Sequence, residues 1–370
     1  MHRRVPAACA VSIALLWAPA SAGRPQVPSA SAEAGVPADI SRALTRAARF
    51  TPTELTALQS GQVITHTEAS PENLEASVVT AVKIATTRDR AADYFHLLVS
   101  YVDGQVTVGR GVFSRPPREA DVAKLSLDAG DVSDLAACRP DFCDIRIAGA
   151  TASEIAQAVQ SKAADTPDHA GAWFRQALVP YVADYLTRGH LALMAHDDRG
   201  VRIDVPVEWQ AILARSPLLS LTAPPVGQYL SNMPAAPPAG ATEEIYWDKE
   251  RLTGLKPVIG VTQMVTWRDA AQPDRVVIAQ KQIFASHYFF GSLAVTLVQQ
   301  DPSASKPTTY VVYANRLRGD LLRGTQPTRQ SGLLGRVNAV AAGFQRRVGE
   351  ELVKQSAEQL LTSMKQQLEK

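Results

Sequence analysis

The sequence lacks the short motifs that mark the common enzyme classes. No G-x-S-x-G nucleophile turn, H-E-x-x-H zinc motif, P-loop or G-x-G-x-x-G fingerprint occurs along the chain. The acidic pair Glu243-Glu244 and the run Asp248-Lys249-Glu250 offer carboxylates for acid and base work, but their setting is typical of a solvated, charged loop leading into a strand. We therefore predict no catalytic residue and no cofactor.

Cysteine is scarce, with three residues in the chain, and Cys9 falls in an N-terminal apolar run. The remaining pair, Cys138 and Cys143, is separated by four residues. In an oxidising compartment such an isolated pair favours a disulfide, because a zinc site needs further ligands and no histidine lies nearby. We predict a Cys138–Cys143 disulfide.

Histidine is also sparse, and one group of polar residues raises the question of a metal. His190 and His196 precede Asp197 and Asp198, but their spacing suits neither one face of a helix nor a zinc pattern. The aspartates, followed by Arg199-Gly200, are more typical of a turn. No metal ligand is predicted.

Excess charge of either sign is missing. The chain has 38 Lys and Arg against 36 Asp and Glu, and loss of Arg3 and Arg4 with an export signal would leave the two counts equal. A chain near neutrality has no field that attracts nucleic acid or an anionic membrane. Nucleic acid is therefore not among the expected partners.

Residues 1–22 have the pattern of an N-terminal export signal. Arg3 and Arg4 precede an apolar run, and Ala20 and Ala22 supply the small residues that signal peptidase reads. The run covers about 14 residues, whereas a membrane-spanning helix needs roughly 20. We expect cleavage after Ala22, a periplasmic or secreted protein, and no integral membrane segment after cleavage.

The mature chain divides by composition. Residues 23–38, rich in Pro, Ser, Ala and Gly, are expected to form a flexible tether, and 39–370 an α+β globule that can be a single domain. Within the globule, 151–215 has helical patterning, and the many prolines of 222–242 predict a loop. Whether the two halves are separate domains stays open.

The last third carries the clearest pattern. β-rich segments near Pro257–Arg268, Arg275–Phe290 and Thr308–Arg316 are separated by turn signals, which predicts an antiparallel meander. An amphipathic helix follows from about Leu333 to Leu368. The fold class is therefore α+β, with a curved antiparallel sheet packed on a long C-terminal helix and an inserted helical region at 151–215.

This element order resembles that of the START and Bet v1-like helix-grip superfamily: an early strand and helix, a late meander and a final long helix. The resemblance covers residues 62–370 and rests on no motif. Segments 281–289 and 310–320 also resemble an uncharacterised family of exported bacterial proteins. The helix-grip resemblance implies a cavity between the sheet and the C-terminal helix.

Polar and aromatic side chains are mixed along the late strands. Alternation places every second residue of this segment on the same face. One face has Lys281, Ile283, Ala285, His287 and Phe289, and the other has Gln280, Gln282, Phe284, Ser286 and Tyr288. Apolar pockets with a few polar anchors are typical of ligand sites. The expected ligand-binding residues are Trp267, Lys281, His287, Tyr288, Tyr313 and Arg316, and the expected partner is an apolar small molecule or lipid.

Two other functions stay open. The same pocket could serve a periplasmic hydrolase or isomerase in which His287 works with Lys281 or a carboxylate. The terminal helix could instead pack against a partner helix in an envelope scaffold, which would leave an apolar stripe exposed from Val337 to Leu368. The oligomeric state and the identity of the ligand are not predicted.

Overall fold

The computed structural model describes residues 35–68, 74–100, 106–139, 142–193, 195–198, 201–251, 255–322 and 333–370. Of Asp197, Asp198, Val201, Leu321, Leu352 and residues 333–348, the backbone alone is described. The predicted signal peptide, residues 1–22, and the tether up to residue 34 lie outside these ranges.

One large antiparallel sheet forms the centre of the molecule. Its strands are β1 (Ile64–Glu68), β2 (Glu75–Ile84), β3 (Thr107–Val112), β6 (Ala241–Glu250), β7 (Val258–Trp267), β8 (Arg275–Ala285), β9 (Phe289–Gln300) and β10 (Thr309–Gly319), and the hairpin β4 (Ala195–Asp198) with β5 (Val201–Asp204) stands apart. The order across the sheet is β1-β2-β10-β9-β8-β7-β6-β3. Every neighbouring pair is antiparallel, as predicted for the late strands.

Helices account for most of the remaining described chain. They are α1 (Ala38–Ala48), α2 (Pro52–Gln59), α3 (Arg88–Ser100), α4 (Ala129–Ala137), α5 (Ala152–Gln160), α6 (Pro167–Arg188), α7 (Val205–Ala214), α8 (Pro217–Thr222), α9 (Pro224–Ser231) and α10 (Leu333–Leu368). Local chemistry starts several of them. Thr51 and Thr151 each form a capping box, with Glu54 and Glu154 respectively, which satisfies backbone N–H groups of the first turn.

The sheet is covered on both faces. One face, which we call the α6 face, packs against α1 and α6–α9 through residues such as Phe174, Leu178 and Trp209. The opposite face, the α10 face, packs against Phe95 of α3 and against Leu361, Met364 and Leu368 at the end of α10. Consequently all of β7 is buried, because strands covered on both sides bury consecutive residues.

The expected Arg275–Phe290 segment is two strands in the structure. β8 ends at Ala285, and β9 begins at Phe289 after a tight turn in which Phe289 N donates to His287 O over 2.6 Å. Tyr288 at this turn has a φ of 60°, a conformation usually supplied by Gly or Asn. The single-strand prediction was wrong because the turn carries neither residue.

The prediction of a loop over 222–242 is also corrected. Pro224 and Pro225 start α9, since proline in the first helical turn forfeits no helical hydrogen bond and already has helical φ. Residues 241–250, interpreted from their charges as an approach to a strand, form β6. Ile245, Tyr246 and Trp247 are its buried centre.

Two further expectations concern covalent and membrane features. Cys138 and Cys143 lie at disulfide-bonding distance with their Cα atoms 4.5 Å apart, as predicted. Among the described helices, none combines the length and the apolar character that crossing a bilayer requires.

Candidate ligand-binding site

The sheet opens where β8 and β9 separate. Their pairing runs from Arg275 opposite Gln299 to Lys281 opposite Leu293 and then stops. Just beyond, the β7–β8 register shifts so that Ile283 is an extra residue, a β-bulge. This bulge corrects the predicted alternation, because Phe284 now contacts Phe174 on the α6 face with ring centroids 6.0 Å apart.

A cavity of about 240 Å³ lies at this opening. It is bounded by the bulged end of β8, the start of β9, the segment 143–152, α5, α6 and the β4–β5 hairpin. Apolar side chains make up most of its wall, including Ile145, Ile147, Ile155, Val205, Ile283, Phe284, Phe289 and Phe290. Its polar side chains are Arg146, Thr151, Tyr181, His196 and Arg202, and the described part of the lining contains no carboxylate.

His196 is the unusual member of this wall. Its Nε2 is buried and has no hydrogen-bond partner within the described part of the chain. Burial, with a smaller contribution from the Arg146 charge, holds the pKa of His196 well below its usual value. A neutral imidazole therefore presents an unsatisfied nitrogen, an uncommon state for a buried polar atom.

Arg146 supplies a fixed positive charge beside it. The guanidinium Nη1 donates to Phe289 O over 2.6 Å, and Nη2 lies 3.5 Å from Asp320 Oδ2. The Arg146 guanidinium carbon is 5.2 Å from the centre of the Phe290 ring. These contacts hold the cation at the cavity wall, and Asp320 balances it from outside the lining.

Arg316, expected to contact ligand, belongs to a buried ion-pair network. It pairs with both Glu68 and Glu75. Arg318 and Arg215 also bond Glu75, at 3.1 and 2.9 Å. The role of Arg316 in the described structure is therefore to compensate buried carboxylates.

Lys281 is enclosed on the α6 face. Its Nζ lies 2.9 Å from His190 Nε2 and donates to Leu230 O over 3.3 Å, with the Trp209 ring centre 4.5 Å away. Burial lowers the pKa of Lys281 well below its usual value, and burial together with Lys281 lowers the pKa of His190 to about 4. Neither group lines the cavity at the bulge.

His287 is packed between protein groups. Its Nδ1 lies 2.8 Å from Asp144 O and its Nε2 3.0 Å from Asp131 Oδ1. The imidazole is 3% exposed, and His287 is not among the residues lining the cavity. The hypothesis of an enzyme with His287 in a ligand pocket gains no support from this placement.

The other expected site residues are dispersed. Trp267 donates from Nε1 to Ala239 O over 3.0 Å, and the Tyr288 hydroxyl accepts from Lys256 N at 2.8 Å. Tyr313 lies on the α10 face, its ring 6.4 Å from that of Phe95, and burial raises its pKa. The six residues do not form one site.

The cavity residues themselves carried weak signals in the sequence. The spacing of His196 from His190 indicates no metal site, and no local pattern marks Arg146 or Tyr181 as ligand-binding residues. Arg146 and Phe289, whose contact shapes the wall, are 143 positions apart. No local pattern joins residues at that separation.

Fold and cavity together define an α+β protein with an antiparallel sheet covered by helices on both faces and a mainly apolar, cationic pocket at a bulge. Comparisons with protein families, with curated proteins and with solved structures found no match.

Proposed function

We propose that this protein is an exported binding protein for a small, mainly apolar molecule that carries an anionic group, and that the ligand occupies the cavity at the β8 bulge. The single observation that carries the proposal is the unpartnered Nε2 of His196 in the wall of an apolar cavity that also contains Arg146.

The chemistry of the wall selects the ligand class. Apolar side chains favour a hydrocarbon or aromatic body, because burial of such surface contributes about 25 cal/mol per Å². Oxygen atoms of a carboxylate or sulfonate can accept from the Nε2–H tautomer of His196 and lie near Arg146. Among the described side chains of the wall, Arg146 and Arg202 carry positive charge and none is acidic, which favours an anion over a cation.

The size of the cavity limits the ligand further. Its volume of about 240 Å³ is below the roughly 300–1,000 Å³ of pockets that hold drug-sized molecules. A single aromatic ring or a medium-length acyl chain with a carboxylate matches this space. A membrane lipid with two chains does not.

The location differs from the cavity expected under the terminal helix. Where side chains of α10 are described, Leu361, Met364 and Leu368 are buried against the sheet and α3. A helix-grip cavity between the sheet and residues 333–348 of α10 stays a prediction, since the side chains of that part of the helix lie outside the described residues. The scaffold alternative stays open for the same part of the helix.

Binding of matched ligands tests the proposal. Calorimetry with benzoate and octanoate should show one site per chain, whereas benzyl alcohol and 1-octanol, which lack the charge, should bind at least about tenfold more weakly. Arg146→Met should weaken binding of the acids and leave the alcohols nearly unchanged.

A cavity-filling variant separates this site from general surface binding. Ala152→Trp places an indole at the lining of the cavity and should abolish binding of both acids. Ala156→Trp, one turn further along α5 and not among the lining residues, should bind like the original protein. Binding that survives Ala152→Trp, or no binding of either acid, would overturn the proposal.

A further inference from the structure

A second polar cluster lies at the turn between β8 and β9, and none of its three residues, Asp131, Asp134 and His287, lines the cavity. Asp131 and Asp134 are three positions apart on α4, so one helical turn brings both carboxylates to the same side. His287 at the β8–β9 turn faces them. The potential ligand atoms of Asp131, Asp134 and His287 all lie within 4.8 Å of one another.

The orientation of His287 leaves one nitrogen for the cluster. Because Nδ1 lies 2.8 Å from the backbone carbonyl of Asp144, it carries a proton and donates it there. A neutral ring then has its lone pair on Nε2, which lies 3.0 Å from Asp131 Oδ1. Two electron-pair donors at this distance require a positive species, either a proton or a metal ion, to bind them together.

This arrangement has the outer-shell contact that metal-bound histidines commonly have. Such a histidine almost always donates its other ring N–H to a carbonyl or carboxylate, which sets the tautomer and the ring orientation. Asp131 is held in the same way, since its Oδ2 accepts from Asp128 N over 2.9 Å. Asp131 and His287 are 2% and 3% exposed, so their positions are set by packing.

The ammonium group of Lys256 lies at the more exposed side of the cluster, next to Asp134. Lys256 Nζ lies 2.5 Å from Asp134 Oδ1, and its side chain is 43% exposed whereas that of Asp134 is 11% exposed. A side chain with this exposure is in contact with solvent as well as with Asp134. The site thus attracts positive charge and has an accessible side through which the present cation can be exchanged.

The predicted disulfide joins the two halves of this cluster. Cys138 is the C-cap of α4, which carries Asp131 and Asp134. Cys143 directly precedes Asp144, whose carbonyl orients His287. The Cys138–Cys143 link therefore holds the carboxylates and the group that orients the imidazole at a constant separation.

We propose that Asp131, Asp134 and His287 bind a divalent transition metal ion such as Zn²⁺, with one carboxylate oxygen from each aspartate and Nε2 of the histidine as ligands. On binding, the ion takes the place of the Lys256 ammonium, and the proton between His287 and Asp131 leaves to water. An imidazole ligand favours Zn²⁺ over Mg²⁺ or Ca²⁺, which prefer oxygen. Three protein ligands leave a fourth position for water.

Metal binding by the full exported chain, prepared without a metal-binding tag and freed of metal by chelation, tests the proposal. Titration with ZnCl₂ followed by calorimetry, and elemental analysis after gel filtration, should give one Zn²⁺ per chain. CoCl₂ should give the visible absorption of a four-coordinate Co²⁺ ion. MgCl₂ should give no saturable binding at equal concentration.

Variants expected to weaken Zn²⁺ binding and a variant expected to strengthen it make the test specific for this site. His287→Gln and Asp131→Asn should each weaken Zn²⁺ binding by at least about tenfold. Lys256→Gln should strengthen Zn²⁺ binding several-fold, because it removes the competing ammonium. His169→Gln, which removes an exposed histidine paired with Asp165 at 2.7 Å, should leave the affinity unchanged.

The gain with Lys256→Gln keeps the test informative even if the buried substitutions unfold the chain. No stoichiometric Zn²⁺ in either the original protein or Lys256→Gln would overturn the proposal. So would an affinity that falls with His169→Gln and not with His287→Gln. Carboxylate-ligand binding at the β8 bulge is measured separately and can fail without affecting this result.

Discussion

The Tyr181 hydroxyl donates a hydrogen bond to the carbonyl oxygen of Ile283, with the two oxygens 2.8 Å apart in a buried setting. Ile283 is the extra residue of the β8 bulge, where pairing with β9 has ended. One turn further along α6, Tyr185 donates to Gln263 Oε1 over 2.6 Å. Two tyrosines of one helix thus satisfy polar groups of β8 and β7 and set the distance between α6 and the sheet.

Tyr181→Phe should destabilise the fold by about 1–2 kcal/mol, because a buried carbonyl loses its donor while the aromatic packing is retained. Urea unfolding at pH 7 measures the free energy of unfolding. Tyr94→Phe, on α3 and half-buried at the α10 face, is the control and should change it by less than about 0.5 kcal/mol. Equal effects for the two variants would argue against the importance of the bulge contact.

Glu75→Gln should be the most damaging single change at the ion-pair network. Glu75 is fully buried and accepts from Arg215, Arg316 and Arg318, so its neutralisation removes the carboxylate that these three guanidinium groups share. Arg316 then keeps Glu68 and Arg318 keeps Glu208, which compensates their buried charge only in part. We expect a loss of about 3–5 kcal/mol in the free energy of unfolding.

The control for this prediction is Asp89→Asn. Asp89 also pairs with arginines, Arg88 and Arg268, at 2.8 and 2.7 Å, but its side chain is 56% exposed. An exposed pair contributes about 0–1 kcal/mol, and a loss as large as that of Glu75→Gln would contradict the assigned importance of burial. Chemical denaturation measures both variants.

Stability should fall as the pH decreases below about 6.5, in part because of His190 and His196. Burial lowers the pKa of His190 to about 4 and that of His196 well below its usual value. The unfolded chain therefore binds more protons than the folded chain between the folded pKa and about 6.5, and protonation favours unfolding there. Above about pH 6.5 this contribution to stability is fully present.

Variants isolate that contribution from the titration of carboxylates. His190→Gln and His196→Gln should each reduce the slope of unfolding free energy against pH between pH 6.5 and 4.5, as measured by urea unfolding. His169→Gln, at an exposed position, should retain the original slope. A slope that none of these changes alters would show that His190 and His196 bind protons equally in the folded and unfolded chains, which would contradict their lowered pKa values.

Lys281→Met should stabilise the protein at neutral pH. Burial lowers the pKa of Lys281 well below its usual value of about 10.5, so the stability of the folded state is fully present above pH 10.5 and is lost as the pH falls towards the folded pKa. Methionine has similar length and no such cost. We expect a gain of about 1 kcal/mol or more at pH 7.

The same experiment at high pH supplies the control. The gain from Lys281→Met should shrink as the pH rises towards 10, since deprotonating the amine costs little free energy at a pH close to its unfolded pKa of about 10.5. A stability difference that is independent of pH would contradict a neutral buried amine. Unfolding in urea at pH 7 and pH 10 is sufficient to decide.

Several features of this protein were predictable because they depend on short stretches of chain. The Cys138–Cys143 pair has a sequence separation of 5, and β7 and β10 have the β-rich runs that indicate strands. Gly, Pro and Asp mark the predicted turns between the late strands. The turn at Tyr288 contains none of these residues, so the sequence did not predict it. Its left-handed backbone is imposed by surrounding contacts, such as the hydrogen bond from Asp320 N to Tyr288 O at 2.9 Å.

The sequence by itself determined the α+β class, the antiparallel late strands and the cysteine pair, since side-chain alternation, turn chemistry and short spacing act between near neighbours. Only the tertiary structure decided that Ile283 forms a bulge, that Arg316 compensates buried carboxylates, and that Asp131 meets His287 across 156 positions. Contacts between residues so distant in sequence depend on tertiary packing, because they form only when the sheet brings the strands and helices that carry them together.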